Sequence, residues 1–600
     1  MTDIIFKPNT WLENAGIVGL TRVLDDDKSQ YKIVNTTDNI GGTSSELHID
    51  SSVLNNLNFT NQYFQYFINT YSKYYKYQQI LDEKPTLQEI VENDYAICNL
   101  ERLKGLTQSI KNILTKSSVK QTADYLGDKA RIAVYTKNMT MLNQRITKLK
   151  KLKPTDDSYK SELKFIVDYL LDVINYLSTN KINKYYQSRL LSYNIISNAW
   201  NQRSIMDSAN LKHSEPDLFK NFDNVFVKSV QNYLQEDHSQ AEYRCANCHR
   251  KINYIKQSKK CKQPDGVSIT FLNDMGYYFG HKLSNAWNLQ DDLYICPICQ
   301  LMYACIPCGF MYDLHNNGLF VNLSNKINFL KKINDDVRSR LITNLNSDMN
   351  RNMTPDQELI ISFQNEFINS NIDLLANAQI ISLHDNNYDI QNIPTVASKT
   401  LFKATHPIIK QGTMQGKNIL QALFNARIYQ KRNHRIVPIY IYNKIIQQLL
   451  NNTRLDDWIY KMEYQKNLQN KDMYYSTSSI MSLIKLNSIL LNELHIRKGN
   501  KMAIDETELS KVRSYGRKIK NDYARKANPK KAQSLAYKML EALRRNDIDD
   551  FMHLLLVSYT YLDGIVPNVF VNNQNNADAM KEYGHAFIAG LIEPTQTTKD

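Results

Sequence analysis

Glycine and proline are scarce, 18 and 14 among 600 residues, about a twentieth of the chain where average usage is roughly 12%. Both residues serve mostly turns and breaks, so their shortage argues against many short strands and predicts long elements, chiefly helices. Long apolar runs are also missing. The most apolar stretch, Phe551 to Leu562, is short and interrupted by His553, Ser558 and Thr560, which argues against a membrane span. The first residues carry Asp3 and Glu13 and lack a basic stretch followed by an apolar run, so they do not read as a secretory signal. The expectation is a soluble, cytoplasmic protein with no membrane partner. Cysteine is rare too, eight in all, yet seven lie between Cys245 and Cys308. In a reducing compartment disulfides are disfavoured, so this clustering predicts metal ligands.

Apolar residues make up 42% of the chain, ample for real cores, and the length suggests about two to four domains. The formal charge is +14, which favours a polyanionic partner through phosphate neutralisation and counterion release. The chain is rich in Lys, Asn, Ile and Tyr together, a joint bias that genome base composition alone is able to produce, so clustering is the better test. Residues 100–153 hold 13 Lys and Arg against 3 Asp and Glu, and residues 508–545 hold 12 against 3. These segments supply the candidate phosphate contacts Lys148, Lys150 and Lys151, then Lys518, Lys520, Arg525, Lys526, Lys530 and Lys531. The last six crowd into 14 residues opposed, in the sequence, only by Asp522.

The pattern predicts a mainly α protein with a small α+β N-terminal part, a zinc-stapled four-cysteine insert and a C-terminal helical bundle. Residues 1–50 read as strands and turns. Leu57 to Leu81, Leu100 to Leu152 and Tyr159 to Trp200 read as helices whose aromatic stripe is packing core. Ile436 to Tyr442 reads as a strand, at a sheet edge because of Pro438. Helical spacing returns over 480–495, 509–526 and 532–545. The expected domains are 1–240, 241–310, 311–443 as a mixed continuation of the first, and 444–600.

Cys245 and Cys248 form one CxxC knuckle, Cys296 and Cys299 a second, with 47 residues between the two. Two residues between cysteines let both thiolates turn back on one ion, and two such knuckles complete a tetrahedral site suited to Zn²⁺. Four thiolates close the coordination sphere, whereas catalytic zinc usually keeps a position for water, so the zinc is expected to be structural. Cys305 and Cys308 stand in an apolar context where cysteine often acts as a small buried hydrophobe. With Cys261 they leave a second metal open. The insert is basic between Arg244 and Lys262, with Arg250, Lys251, Lys256, Lys259 and Lys260 and no acid. Lys256, Lys259 and Lys260 join the candidate nucleic-acid contacts.

Enzyme signatures are weak. Gly412 to Lys417 has three residues between its glycines, and Asn418 stands where a phosphate-binding loop needs Ser or Thr for Mg²⁺. The pairs Asp291-Asp292, Asp335-Asp336 and Asp456-Asp457 show no convergence of the kind two-metal chemistry needs, and His384-Asp385 stands alone. No catalytic residue is assigned. A zinc-dependent nuclease, or a zinc-ribbon assembly factor without guide RNA, are the competing readings.

The stretch Trp11-Leu12-Glu13-Asn14-Ala15-Gly16-Ile17-Val18-Gly19-Leu20, the two knuckles followed by Pro307 and Gly309-Phe310, and the stretch Tyr583-Gly584-His585-Ala586-Phe587-Ile588-Ala589-Gly590-Leu591 together resemble the CXXC-CXXC large subunit of type I-B CRISPR surveillance complexes. Cys305 and Cys308 depart from the usual pattern. The resemblance implies a non-catalytic subunit that joins a guide-RNA ribonucleoprotein with backbone and small subunits. It implies help in recognising the protospacer-adjacent motif on double-stranded target DNA, stabilisation of the R-loop with its displaced single strand, and recruitment of a separate helicase-nuclease. In such systems base pairing reads the target, while protein reads the adjacent motif and the backbone.

Overall fold

The structure, a computed structural model, describes residues 3–24, 30–37, 43–95, 98–154, 156–198, 217–256, 262–268, 293–312, 317–323, 326–345, 378–384, 387–405, 409–410, 413–414, 419–432, 435–470, 472–494, 506–526 and 529–594. It is mainly helical with small sheets. The chain forms two compact units, one of residues 1–346 with 380–390, the other of residues 347–379 with 391–600. The division departs from the four expected domains, because the Cys-rich insert shares the core of the N-terminal segment and residues 391–443 belong with the C-terminal helices.

In the first unit, β1 (Asp3–Phe6), β2 (Tyr31–Thr37) and β3 (Thr43–Asp50) form an antiparallel sheet in the order β1-β3-β2. Ile4 faces Ile49 and Phe6 faces Leu47 in register, all four buried, so one face of the sheet meets the core. The strand-and-turn reading of residues 1–50 omits α1 (Trp11–Val23), which starts with a capping box between Thr10 and Glu13. The omission has a physical cause. Every residue of α1 from Glu13 to Val23 is buried, so no polar face alternates with an apolar one to signal a helix.

Helix α2 (Asn58–Tyr71) buries Phe59, Tyr63, Phe64 and Phe67 in the same core, with Tyr63 stacked on Phe222 at 4.6 Å. Next come α3 (Lys76–Leu81), α4 (Lys84–Glu92), α5 (Leu100–Leu114), α6 (Ser117–Leu126), α7 (Lys129–Leu149), α8 (Asp157–Ser178) and α9 (Asn180–Ser192). They surround a second core, to which α8 contributes Leu163, Ile166, Val167, Leu170, Val173, Ile174 and Leu177 at helical spacing. The stretch from Leu100 to Leu152 is three helices, not one. Gly127, at φ +78°, ends α6 in the left-handed conformation that a glycine adopts without strain.

Two short helices, α10 (Leu218–Phe222) and α11 (Lys228–Gln235), lead to the insert, with strands β4 (Tyr243–Arg244), β5 (Lys251–Ile252), β6 (Tyr254–Lys256), β7 (Lys262–Pro264), β8 (Val267–Ser268) and β9 (Tyr294–Ile295) paired as hairpin-sized ladders. After β9 come α12 (Pro297–Ala304) and α13 (Ile306–Gly309). The strands β10 (Met311–Tyr312), β11 (Gly318–Asn322), β12 (Gln379–His384) and β13 (Asn387–Asn392) form a sheet in that order, and α14 (Ile327–Leu345) follows β11.

Helix α1 lies against α12 and α13 with little between the backbones. A Cβ on Gly16 would come within 2.6 Å of the Met302 carbonyl oxygen, one on Gly19 would collide with that of Cys305, and one on Gly309 with that of Ala15. Arg22, buried at the end of α1, donates to the carbonyls of Cys308 at 3.0 Å and Gly309 at 2.6 Å and pairs with Asp335 at 2.9 Å. Tyr63 and Tyr66 donate to the Ala304 and Cys308 carbonyls. The free carbonyls at the end of this helical pair are thereby satisfied by side chains of α1 and α2.

The second unit contains α15 (Thr395–Thr405), the pair β14 (Ile409–Lys410) and β15 (Thr413–Met414), and a sheet β17-β16-β18 of β16 (Arg427–Arg432), β17 (Arg435–Tyr440) and β18 (Met473–Tyr474). Pro438 does sit on an edge strand, but the expected strand ends at Tyr440, where α16 (Ile441–Leu450) begins. The bundle continues with α17 (Asp456–Asn467), α18 (Thr477–Glu493), α19 (Glu506–Arg525), α20 (Pro529–Arg544), α21 (Ile548–Tyr561), α22 (Asn568–Asn573) and α23 (Ala577–Leu591). Helices α19 and α23 cross closely, with Gly516 facing the Phe587 carbonyl and Gly590 that of Arg513. His585 lies 2.6 Å from Glu463, both buried.

The close approaches predict opposite outcomes for two glycines. Gly19→Ala should lower stability by about 1–3 kcal/mol through overpacking. Gly105→Ala, in open space on α5, should raise it by roughly 0.5–1 kcal/mol by removing chain entropy. Denaturant unfolding of the two variants checks both signs.

The buried pair predicts a pH dependence. Burial pulls the His585 imidazole down, but the Glu463 carboxylate, aided by Asp456 and opposed by Lys581, holds its pKa above the ordinary value. Burial raises the Glu463 carboxyl against the pull of His585. A group raised in the folded state stabilises below its unfolded pKa, about 6.5 for histidine, and loses that contribution as pH rises through the folded value. The thermal midpoint of the second unit should therefore fall as pH climbs from about 6.5, and His585→Gln should flatten the slope.

Candidate metal centre

The four cysteines of the two knuckles converge. The Cys245 and Cys299 sulfurs are 3.8 Å apart, those of Cys248 and Cys296 3.5 Å, and all four lie within 4.8 Å of one another. A tetrahedral ion with metal–sulfur bonds of about 2.3 Å separates its sulfurs by about 3.8 Å, so the donor set and its size fit a metal ion such as zinc. Among the described residues no other group of His, Cys, Asp and Glu side chains comes together at metal-binding distances.

Each knuckle is shaped by its local chain. In the first, Cys245 N donates to the Arg250 carbonyl and His249 N to that of Cys245, closing a tight turn between β4 and β5 in which His249 takes φ 59°. In the second, β9 delivers Cys296 to the N-cap of α12, Pro297 begins the helix, and Cys299 falls in its first turn. The positive end of a helix dipole therefore faces two of the sulfurs, which favours thiolate. The Ala246 N–H donates to the Tyr294 carbonyl, locking the two knuckles side by side.

Further donors aim at the sulfurs. Cys296 N lies 3.2 Å from the Cys245 sulfur and Asn247 Nδ2 3.3 Å from that of Cys299. Hydrogen bonds from Cys248, Cys296 and Cys299 hold the Cys245 thiol far below the usual range. Cys248 is lowered to about 7, its hydrogen bond with Cys245 opposing those from Cys296 and Cys299. Cys296 and Cys299 are pushed up, foremost by their hydrogen bonds to Cys245. Four sulfurs this close cannot all be anionic unaided, and a divalent cation is the charge that lets them. Arg250 adds positive charge beside them. Burial lowers its pKa, but the Cys248 and Cys296 sulfurs more than reverse this.

Cys305 and Cys308 stand apart from this cluster, both wholly buried in the hydrophobic core where burial pushes their thiols up. They behave as small apolar residues packed against α1. Cys261 lies outside the described residues.

The basic candidates have varied surroundings. Arg244 and Lys251 donate to the carbonyls of His249 and Ser239, holding the insert's own chain, and Arg250 donates to that of Ile5, tying the insert to β1. Lys259 and Lys260 lie outside the described residues, and of Lys256 only the backbone in β6 is described. On α7 Lys148 is exposed, Lys150 pairs with Glu101, and Lys151 is exposed just beyond the helix. In the second unit Glu593 accepts from Arg513 at 2.9 Å and Arg517 at 2.8 Å, and its carbonyl accepts from Lys520, whose pKa burial lowers. Arg525 pairs with Asp522 and Lys526 with Asp563. Lys531 sits 3.7 Å over the ring of Tyr561, which stacks on Tyr523. Lys518 and Lys530 are exposed with no partner among the described residues. The sequence showed the positive charges, but their counter-groups Glu593, Asp563 and Tyr561 are distant along the chain.

The acidic pairs have structural partners. Asp335 meets Arg22 and Arg338, and Asp456 meets Arg454 and Asn487. Asp291, Asp292, Asp385 and most of the loop from Gly412 to Lys417 lie outside the described residues. No family model, curated protein or solved structure matches the chain. No helix among the described residues is long and apolar enough to cross a membrane.

The geometry predicts one metal ion per chain by elemental analysis of protein purified without chelator. Cys296→Ser should abolish stoichiometric metal and lower the unfolding midpoint, because a three-thiolate site no longer closes. Cys305→Ser should retain full metal content while losing stability through a buried hydroxyl.

Proposed function

We propose that the chain is the non-catalytic large subunit of a type I-B CRISPR RNA-guided DNA-targeting complex, in which a Zn²⁺ held by Cys245, Cys248, Cys296 and Cys299 is structural. The observation that carries this reading is the role of the three stretches on which the resemblance rests. Trp11 to Leu20 and the segment through Gly309-Phe310 are the two sides of the glycine-lined contact between α1 and α12–α13, with Trp11 edge-on to Phe310 at 6.2 Å. Tyr583 to Leu591 supplies Gly590 to the crossing of α19 and α23 and His585 to the buried ion pair. All three are scaffolding elements, as a subunit that positions partners requires. A closed thiolate site leaves no position for a reacting water, and the acids of Asp335 and Asp456 neutralise buried or half-buried arginines.

On this reading the protein helps recognise the protospacer-adjacent motif on duplex DNA and holds the strand displaced as guide and target pair, before a separate helicase-nuclease arrives. The exposed lysines of α19 and α20 supply phosphate contacts. The test is co-purification from the native host. A bound short RNA with repeated backbone subunits is expected, and a chain that carries neither RNA nor protein partners overturns the reading. Within the assembled complex, Lys518→Glu with Lys530→Glu should weaken binding of every target sequence alike and reduce the salt slope by roughly 0.7 per lost contact on a single strand. Preference for the adjacent motif should persist, because phosphate contacts carry no base information.

A further inference from the structure

The helical part of the first unit holds a cleft of about 330 Å³ between α3, the α5–α6 junction and the end of α9. That volume falls in the range of small-ligand sites, roughly 300–1,000 Å³. Lys76, the first residue of α3, and Lys116, the residue before α6, both line it, and no carboxylate does. Neither ammonium has an ion-pair or hydrogen-bond partner among the described residues. Some cations of nearby helices are paired, while others, such as Lys104 and Lys137, point to solvent without a partner among the described residues. What sets Lys76 and Lys116 apart is that they share one cleft. Arg102 pairs with Glu83, Lys129 with Asp124, Lys150 with Glu101 and Lys160 with Asp94. Burial, then the charge of Lys76, lowers the pKa of Lys116, so the fold sets two like charges across one cleft without a counter-charge.

The rest of the lining is not basic. Tyr75 gives a half-buried ring over a floor of Ile113 and Leu190, themselves only 3% and 4% exposed, and Asn112 and Asn194 give primary amides, the Asn112 carbonyl accepting from Gln108. Two ammoniums beside an aromatic ring edged with amides suit a ligand with a phosphate at one end and a planar, hydrogen-bonding ring at the other. We infer that this cleft is a nucleoside-phosphate site, with the phosphate between Lys76 and Lys116 and the base against the ring of Tyr75, its edge read by the amides of Asn112 and Asn194. The site deepens the nucleic-acid reading but does not require it, since the same chemistry serves a free nucleotide or one nucleotide of a strand.

Calorimetric titration of the full chain with the four nucleoside 5′-monophosphates, the corresponding nucleosides and inorganic phosphate tests it. At least one monophosphate should bind at one per chain, more tightly than its nucleoside and than phosphate. Lys76→Gln with Lys116→Gln should weaken that binding at least tenfold with the thermal midpoint unchanged, and the exposed Lys137→Gln should leave it intact. A single-stranded tetranucleotide that displaces the monophosphate identifies a strand as the ligand source, and one that does not identifies a free nucleotide; both uphold the site. Absence of saturable binding overturns the inference, as does affinity equal in the double variant or equal for nucleoside and monophosphate. Because the measurement uses the isolated chain, its failure is distinct from a failure to co-purify with guide RNA.

Discussion

Contact between bare backbones joins the N-terminal helix to the helical pair that follows the second knuckle. Gly16 and Gly19 of α1 and Gly309 of α13 leave no room for a side chain, so carbonyls and Cα atoms of one helix meet those of the other. Around this contact the first unit assembles. The β1-β3-β2 sheet covers one flank with Ile4, Phe6, Leu47 and Ile49, and the aromatic stripe of α2 covers another. Arg22, Tyr63 and Tyr66 cap the carbonyls at the end of the pair. Buried carbonyls left unpaired would each cost about 1–3 kcal/mol, so these three side chains belong to the same constraint.

The cluster of four cysteines bears on that contact through α12. Cys296 is at once a sulfur ligand in geometry and the N-cap of α12, so an ion held by the four sulfurs ties the start of α12 to the β4–β5 turn. Metal affinity and the folding of the insert are then one free energy. Cys305 and Cys308, only a few residues further on, face the apolar core and contribute packing alone. Proximity in sequence does not make them ligands, because the two turns of helix that follow Pro297 carry them away from the knuckles.

Electrostatics divides the basic residues into those the fold consumes and those it leaves to solvent. Glu593 gathers cations from α19, and Tyr561 receives Lys526 and Lys531 on its ring. Exposed pairs of this kind contribute little to stability, about 0–1 kcal/mol each, yet they decide which charges remain available to a polyanion. Lys518 and Lys530 in the bundle remain so, as do Lys76 and Lys116 in the cleft.

The sequence by itself determined the mainly helical character, through scarce glycine and proline, and which four cysteines come together, through the CxxC spacing of Cys245/Cys248 and Cys296/Cys299. Both are local properties: helical periodicity and the reach of a two-residue turn need no knowledge of distant chain. Pro438 at a sheet edge was legible for the same reason, since a missing N–H excludes a central strand. Tertiary structure alone decided the rest. Helix α1 has no polar face to announce it, and its glycines acquire meaning only from Met302 and Cys305, nearly 300 residues away. The insert's Arg250 reads as a solvent cation until the fold places it beside the thiolates, and the charges that balance α19 come from Asp563 and Glu593. Lys76 and Lys116, 40 residues apart in sequence, face one cleft because α3 packs on α5. Coulomb interaction and close packing depend on separation in space, which the order of residues along the chain does not state.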